Sequence, residues 1–263
     1  MLLLRNEQGG LGLRPLNARS VILSTLLGTH PPRRTAGELV RAGELFGISE
    51  GAIRVALSRL LAAGDLVRED GTYRLSERLC ERQARQDESR APSVRPWDGD
   101  WELVAVDASP RPAAERLAFR AQMRALRIAE LREGLWLRPA NLEREIPAAV
   151  LSRCRLFYGR PASDPAALAR SLWDLDAWAA RARRLVAAIE RAHGPAEAFI
   201  VSAATIRHLL ADPVLPAELL PAEWPGRALR EAHEHLESEH LTALEGHLRS
   251  RPGGEEEPIR AAS

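Results

Sequence analysis

The stretch Ser49–Gly64, SEGAIRVALSRLLAAG, followed directly by Leu66–Leu75, LVREDGTYRL, decides the fold of this chain. Ser49 can accept a hydrogen bond from the first free amides of a helix. Ile53, Leu57, Leu60 and Leu61 then recur at the spacing that gathers them on one helical face. The opposite face carries Glu50, Arg54, Ser58 and Arg59, polar but not densely charged. Behind the helix, two extended runs meet at Asp70-Gly71. That pair favours a two-residue hairpin turn, in which both central residues need positive φ. A capped amphipathic helix and a small hairpin predict a helix-turn-helix with a wing.

Working upstream, Asn17 starts a helix that places Val21, Ile22, Leu26 and Leu27 on one side, and His30-Pro31-Pro32 ends it. Thr35 caps a second helix expected to run through Phe46, before the break at Gly47-Ile48. Helix, helix, turn, helix, hairpin is the order of a winged helix-turn-helix over residues 17–76. Such a domain lays its third helix in the major groove, where each base pair shows its own donor and acceptor pattern. Ser49, Arg54, Val55, Ser58 and Arg59 are the candidates on that helix for base edges and phosphates. Arg68 and Arg74 on the wing, with Arg33 and Arg34, are candidates for phosphate contacts, which set affinity rather than sequence preference. The competing reading makes these ordinary solvated arginines on an interaction module.

Downstream, residues 77–95 read as a linker: a charged helix from Ser76 to about Gln86, then Pro92 and Pro96. Residues 96–160 hold three expected strands, Trp101–Asp107, Gly134–Pro139 and Ser152–Tyr158. A turn at Pro110–Pro112 leads into a helix near Ala114–Leu126. Strands alternating with helices imply a small α/β sandwich. Residues 161–250 are mostly helical, with segments at Asp164–Leu172, from Trp178 to about Ala192, Phe199–Leu210 and Arg227–Leu248. Residues 1–16 read as a partly ordered lead-in, and 251–263 have the composition of a disordered tail.

The chain has 263 residues, 45% hydrophobic and 28% charged, enough for two or three globular domains. Its formal net charge is +1, so overall basicity gives no argument for nucleic acid. There is no lysine; all 37 positive side chains are arginines, whose planar fork suits phosphate and guanine. Cys80 and Cys154 are far apart and outside any CxxC pair, which argues against a zinc finger and for a reducing compartment. MLLLRNEQGG is too soon broken by Arg5 to be an expected secretion signal, and no run spans a bilayer. The expected location is the cytoplasm, with no membrane partner.

No nucleophile elbow, phosphate loop or dinucleotide fingerprint is present, so neither catalytic residues nor a cofactor are expected. His233, Glu237 and His240 fall at i, i+4 and i+7, a spacing able to hold a metal on one helix face. Exposed histidines of a polar helix are the preferred reading, and no metal is expected. Asp107 ends the first strand of the central segment. The alternative function, a metal-dependent nuclease or other enzyme with an appended winged helix, would rest on it, but no companion carboxylate or histidine lies nearby in sequence. Trp136, Trp173, Trp178 and Trp224 suit core packing first and ring stacking second.

Several stretches together resemble the PaaX-type repressors of phenylacetate catabolism. They are Ala18-Arg19-Ser20, Ile48–Gly64 through the wing, Gly134-Leu135-Trp136-Leu137-Arg138-Pro139 and Leu172-Trp173-Asp174-Leu175. The last is Leu209-Leu210-Ala211-Asp212-Pro213-Val214-Leu215-Pro216, running on to Trp224-Pro225-Gly226. The resemblance implies a multidomain α+β protein: a winged helix-turn-helix, a central ferredoxin-like α/β sandwich, and a helical C-terminal effector and dimerisation domain. It also implies a homodimer on a palindromic double-stranded DNA operator, released by an aryl-CoA thioester, typically phenylacetyl-CoA or a related acyl-CoA. Trp173, Arg207 and Trp224 are the effector-contact residues it suggests. Ala203–His208 departs from the family pattern, lacking the acidic-aromatic pair ahead of Arg207.

Overall fold

The structure is a computed structural model that describes residues 16–107 and 112–249. Most of the lead-in, the Pro110-Arg111 part of the predicted turn and the tail 251–263 lie outside the described residues. These residues form two compact units. One holds Ala84–Arg191 with Val201–Glu234. The other holds, of the described residues, 16–83, Ala192–Ile200 and 235–249.

The second unit opens with α1 (Ala18–Leu27), β1 (Arg33–Thr35), α2 (Ala36–Glu44), α3 (Glu50–Ala62), β2 (Leu66–Glu69) and β3 (Thr72–Leu75). The two caps read from the sequence, at Thr35 and Ser49, are made, and Asn17 adds a third. Asn17 accepts from Ser20 N, Thr35 from Glu38 N and Ser49 from Ala52 N. Ile22, Leu26, Leu39, Ile53, Leu60, Leu66 and Leu75 are all but fully buried in one cluster. Burying each contributes about 1.5–3 kcal/mol. Gly43 lets α2 cross close over α3, since a Cβ there would sit 2.6 Å from Ile53 Cγ1.

Helix α2 ends at Glu44, two residues short of the expected Phe46. The physical reason is a Schellman ending, in which Ile48 N donates to Gly43 O and Gly47 N to Glu44 O. Asp70 (φ 47°) and Gly71 (φ 76°) turn the wing, and β2 pairs β3 with Leu66 opposite Leu75. Strand β1 adds to the other side of β3, giving the order β1-β3-β2.

α4 (Glu77–Arg90) leaves the wing and runs four residues past its expected end. Beyond the buried Leu79, Gln83, Gln86 and Ser89 are buried along it, so the rest of its inner face is polar and hides the apolar periodicity that marks a helix. Gln83 Nε2 donates to the carbonyls of Leu27 and Thr29, both at 2.9 Å.

The first unit contains β4 (Trp101–Val106), α5 (Ala113–Ala125), β5 (Ala129–Arg132), β6 (Leu135–Pro139), α6 (Ala148–Leu151) and β7 (Cys154–Gly159). The sheet is antiparallel in the order β5-β6-β4-β7, the ferredoxin-like arrangement of a β-α-β-β-α-β chain. Three strands were expected and four are present. Strand β5 was missed because Ala129-Glu130-Leu131-Arg132 is short, charged and irregular, with a register shift between Glu130 and Arg132. Such features blunt a sheet edge and erase its alternation. One sheet face buries Val104, Trp136 and Cys154 with Phe119 and Met123 of α5. The other buries Trp101 and Leu137 with Ala169, Leu175, Leu215 and Leu219.

The helices that follow are α7 (Pro165–Leu172), α8 (Leu175–Glu190), α9 (Gly194–Leu209) and α10 (Gly226–Arg249), with a 3₁₀ turn at Ala217–Leu219. Asp164 and Asp174 cap α7 and α8. Helix α9 starts five residues before the expected Phe199, with Pro195 in its first turn. The α+β, multidomain class read from the sequence holds.

Candidate nucleic-acid interface

Helix α3 has two unlike sides. Ile53, Ala56, Leu57 and Leu60 are buried, while Arg54, Val55, Ser58 and Arg59 are exposed together. Val55 is 52% exposed, unusual for valine, and it lies between the two arginines. The Arg54 guanidinium folds back on Glu50, with Nε and Nη2 both 2.6 Å from Oε1. An exposed pair of this spacing contributes only about 0.3–0.5 kcal/mol, so a phosphate or a base edge can replace it. Ser58 donates to Arg54 O at 3.2 Å, which leaves its oxygen able to accept. Ser49 stands at the start of the same helix, where its oxygen serves the cap.

The four other arginines divide between the two faces of the small sheet. Arg33 stands opposite Arg74, and Arg34 opposite Tyr73, which in turn faces Arg68. Arg33 and Arg74 thus share one face, and two like charges directly opposite repel unless an anion sits near them. Glu69 partly supplies that anion, 2.7 Å from Arg74 Nε. Arg34 reaches Glu38 at 3.7 Å, and Arg68 lies over the Tyr73 ring at 5.9 Å. Sequence reading passed over Asp65. Its buried carboxylate takes Arg19 at 2.9 Å and also pairs with Arg78, fixing α1, the end of α3 and α4 together. Only its place just after Gly64, the glycine that ends α3, hinted at such a role.

Of the suggested effector residues, Trp173 and Trp224 are half-buried and both lean on the cluster around Trp101. Arg207 is half-buried on α9. Trp224 stacks on Trp178 at 4.6 Å, and Trp178 stacks on His208 at 4.4 Å. His208 Nε2–H donates to Trp178 O at 3.0 Å, while Trp178 Nε1–H donates to His208 O at 3.3 Å. Helices α8 and α9 are latched by this reciprocal pair.

The final helix corrects the expectation of exposed histidines. His233 is 1% exposed with Nε2 3.0 Å from Ser202 Oγ, and His240 is half-buried against Phe46 and Phe199. Among the described residues no three His, Cys, Asp or Glu side chains converge as a metal site. Asp107 is half-exposed, with Arg155 Nε 4.0 Å away. No helix of the described residues is long and apolar enough to cross a membrane.

Burial pulls His208 and His233 down to about 4 and lowers His240 as well. A histidine that resists protonation in the fold binds its proton more readily when unfolded. Stability therefore falls as pH drops from about 6.5 toward 4, by up to about 1.4 kcal/mol per pH unit for His208 and for His233, and His240 contributes in the same direction. Denaturant midpoints across that range will show the decline; a flat profile would contradict the burial.

Three descriptions of one family match the chain in order. Residues 17–79 match PaaX-like protein, 94–154 the PaaX protein central Cas2-like domain, and 173–250 the PaaX-like protein C-terminal domain. The chain belongs to the PaaX family. Transcriptional regulation and DNA binding come with that membership, so this is a PaaX-like regulator. The PaaX chain is also similar in structure to Uncharacterized protein Rv0674 from Mycobacterium tuberculosis. The two are 45% identical with a TM-score of 0.76, over 88% of this chain and 98% of that one. No curated protein matches the chain.

The Asp212-Pro213-Val214-Leu215-Pro216 stretch of this PaaX chain forms a buried polar knot. Arg138, fully buried, donates to Pro139 O at 2.9 Å, Asn141 Oδ1 at 2.7 Å and Arg127 O at 3.2 Å. Asn141 Nδ2 donates to Val214 O at 3.0 Å. Burial, with Arg144 nearby, pulls the Arg138 guanidinium down to about 9, so it stays charged at neutral pH. Asp212 accepts from Val214 N at 2.9 Å and from Arg230 Nη2 at 2.7 Å, and its carbonyl accepts from Arg127 Nε at 2.9 Å. Arg127 also pairs with Glu88, and Arg230 donates to Ser89 O at 3.3 Å, both at the far end of α4.

Proposed function

We propose that this PaaX-family regulator is a homodimeric repressor of an aromatic-acid catabolic operon of the phenylacetate type. It leaves its operator when an aryl-CoA thioester such as phenylacetyl-CoA binds. The observation that carries the DNA-reading part is the exposed set Arg54, Val55, Ser58 and Arg59 on α3, with the Arg33–Arg74 pair of the wing in support. An arginine fork suits guanine O6 and N7, a valine suits the thymine methyl, and the wing arginines suit phosphates. Operator and effector each weaken the other's binding by the same factor.

The surface that supports pairing of two copies is the β7 edge. Strand β7 is six residues long, ends the sheet and exposes Phe157 and Tyr158, whereas the opposite edge, β5, is short and irregular. Arg155 and Arg160 flank it, and each lies near its own aspartate, Asp107 or Asp100. Two edges could therefore meet without a large like-charge penalty.

A cleft of about 560 Å³ next to this edge is lined by Arg95, Glu102, Arg144, Glu143, Glu145 and Tyr158 among others. Its three carboxylates against two arginines suit a CoA phosphate poorly. The thioester is assigned instead to the helical segment with Trp173, Arg207 and Trp224, where an adenine or aryl ring would find indoles.

The deciding experiment is selection of bound DNA from a random pool, followed by release assays with a panel of CoA thioesters and their free acids. Release by thioesters alone supports the proposal, and equal release by free acids sinks the CoA assignment. Arg54→Ala is expected to cost about 1–3 kcal/mol on the selected operator and to relax preference at one base position. Arg33→Ala should weaken all sequences alike and lower the salt slope by about one. An equal loss on operator and random DNA for Arg54→Ala would make Arg54 a phosphate contact.

A further inference from the structure

The DNA-reading segment is not built from residues 17–76 alone. Phe199 of α9 and Leu244 of α10 are buried in one cluster with Val21 of α1 and Ala42 of α2. Leu45, Phe46 and Ile48, the residues of the turn between α2 and α3, pack against the same cluster. Three rings close it. The Phe46 and Phe199 centroids are 5.1 Å apart at 63°, and His240 lies 5.9 Å from Phe46 and 6.1 Å from Phe199. An edge-to-face aromatic pair of this kind is directional as well as adhesive, because the ring edge and ring face carry opposite partial charge.

No residue of α3 belongs to this cluster, and Arg54, Val55, Ser58 and Arg59 remain exposed. The docked helices therefore leave the reading face uncovered. What they grip is the turn from which α3 starts. The turn's backbone N–H bonds at Phe46, Gly47 and Ile48 all return to α2, and while Ile48 also packs on the winged-helix core, Phe46 packs on this joint. A small rotation of α3 misplaces a bidentate fork on a base edge, whereas phosphate contacts through long side chains tolerate it.

We infer that the Phe46–Phe199–His240 joint is the positioning element of the reader, through which α9 and α10 set the angle of α3 for base recognition. The inference rests on the DNA-reading function proposed above, and adds residues that lie far outside the winged helix in sequence. Phe199, His240 and Leu244 touch no DNA in this scheme. They act through Phe46 and the turn.

The test uses the full chain carrying Phe199→Ala, with Phe199→Leu as the conservative variant. Phe199→Ala is expected to weaken the selected operator about tenfold, the scale of one good base contact, and to leave random DNA of equal length unchanged. Amide hydrogen exchange is expected to quicken at Leu45–Ile48 and in the first turn of α3, and Phe199→Leu to restore most of both readouts. Equal weakening on both DNAs would overturn the inference, because a merely structural role lowers all binding together. So would faster exchange confined to α9 and α10. If the parent chain selects no sequence at all, the DNA-reading proposal fails, and the exchange readout alone decides whether the joint holds the turn.

Discussion

Asp212→Ala is expected to lower the unfolding free energy by about 3–5 kcal/mol, the usual cost of removing one partner of a buried ion pair. Asp212 is 2% exposed and Arg230 is largely buried against it. Without the carboxylate, Arg230 keeps a desolvated charge and only carbonyl partners, at Ser89 and Gly226. Val214 also loses the bond that holds its amide, at a φ of 50° that a β-branched residue adopts only under constraint. Asp212→Asn keeps an acceptor for Val214 N and should fall between the parent and the alanine variant. Urea unfolding of the three chains checks this. An alanine variant within about 1 kcal/mol of the parent would mean that Arg230 finds another anion.

Trp178→Ala should be about as damaging, about 3–5 kcal/mol, because it empties a large volume between two stacked rings. Trp178 is 7% exposed, and its removal leaves Trp224 and His208 without their shared neighbour and takes from the His208 carbonyl one of its two donors, the other being Ala211 N. Trp178→Phe restores a ring but not the N–H, and should cost about 1–2 kcal/mol. A second readout separates packing from general damage. His208 is held down by burial, so opening the stack should return its titration toward its ordinary range in NMR pH profiles. Unchanged His208 titration in the alanine variant would show that the cavity closes over it.

Local rules made the reading head legible. Asn17, Thr35 and Ser49 are caps whose partners lie three residues away, and Asp70-Gly71 needs only its own backbone to turn. The exposed set on α3 followed from the same helical periodicity that buried Ile53 and Leu57. Properties that depend on partners far along the chain were not legible. Nothing near His233 or His240 in sequence shows that one is buried beside Ser202 and the other packs between phenylalanines. Gln83, Gln86 and Ser89 read as surface, yet all three are buried, and Gln83 and Ser89 donate to backbone carbonyls. The wing arginines were grouped by type. Strand register, invisible in composition, divides them between two faces. The resemblance located the Asp212 stretch, but its chemistry depends on Arg127, Arg138 and Arg230, scattered over about a hundred residues.

Helices α4, α9 and α10 each begin in one compact unit and finish in the other. A reading head joined to the rest by a single strand of chain could be cut off, swapped or borrowed by recombination as a cassette. This one is interleaved. Severing it after the wing would remove Phe199 and Leu244 from its core and leave Val21, Ala42 and Phe46 facing water. Such a chain evolves as a whole: a change in α9 or α10 is tested at once against the packing of the reader, so changes in these helices and in the reader arise in correlated steps.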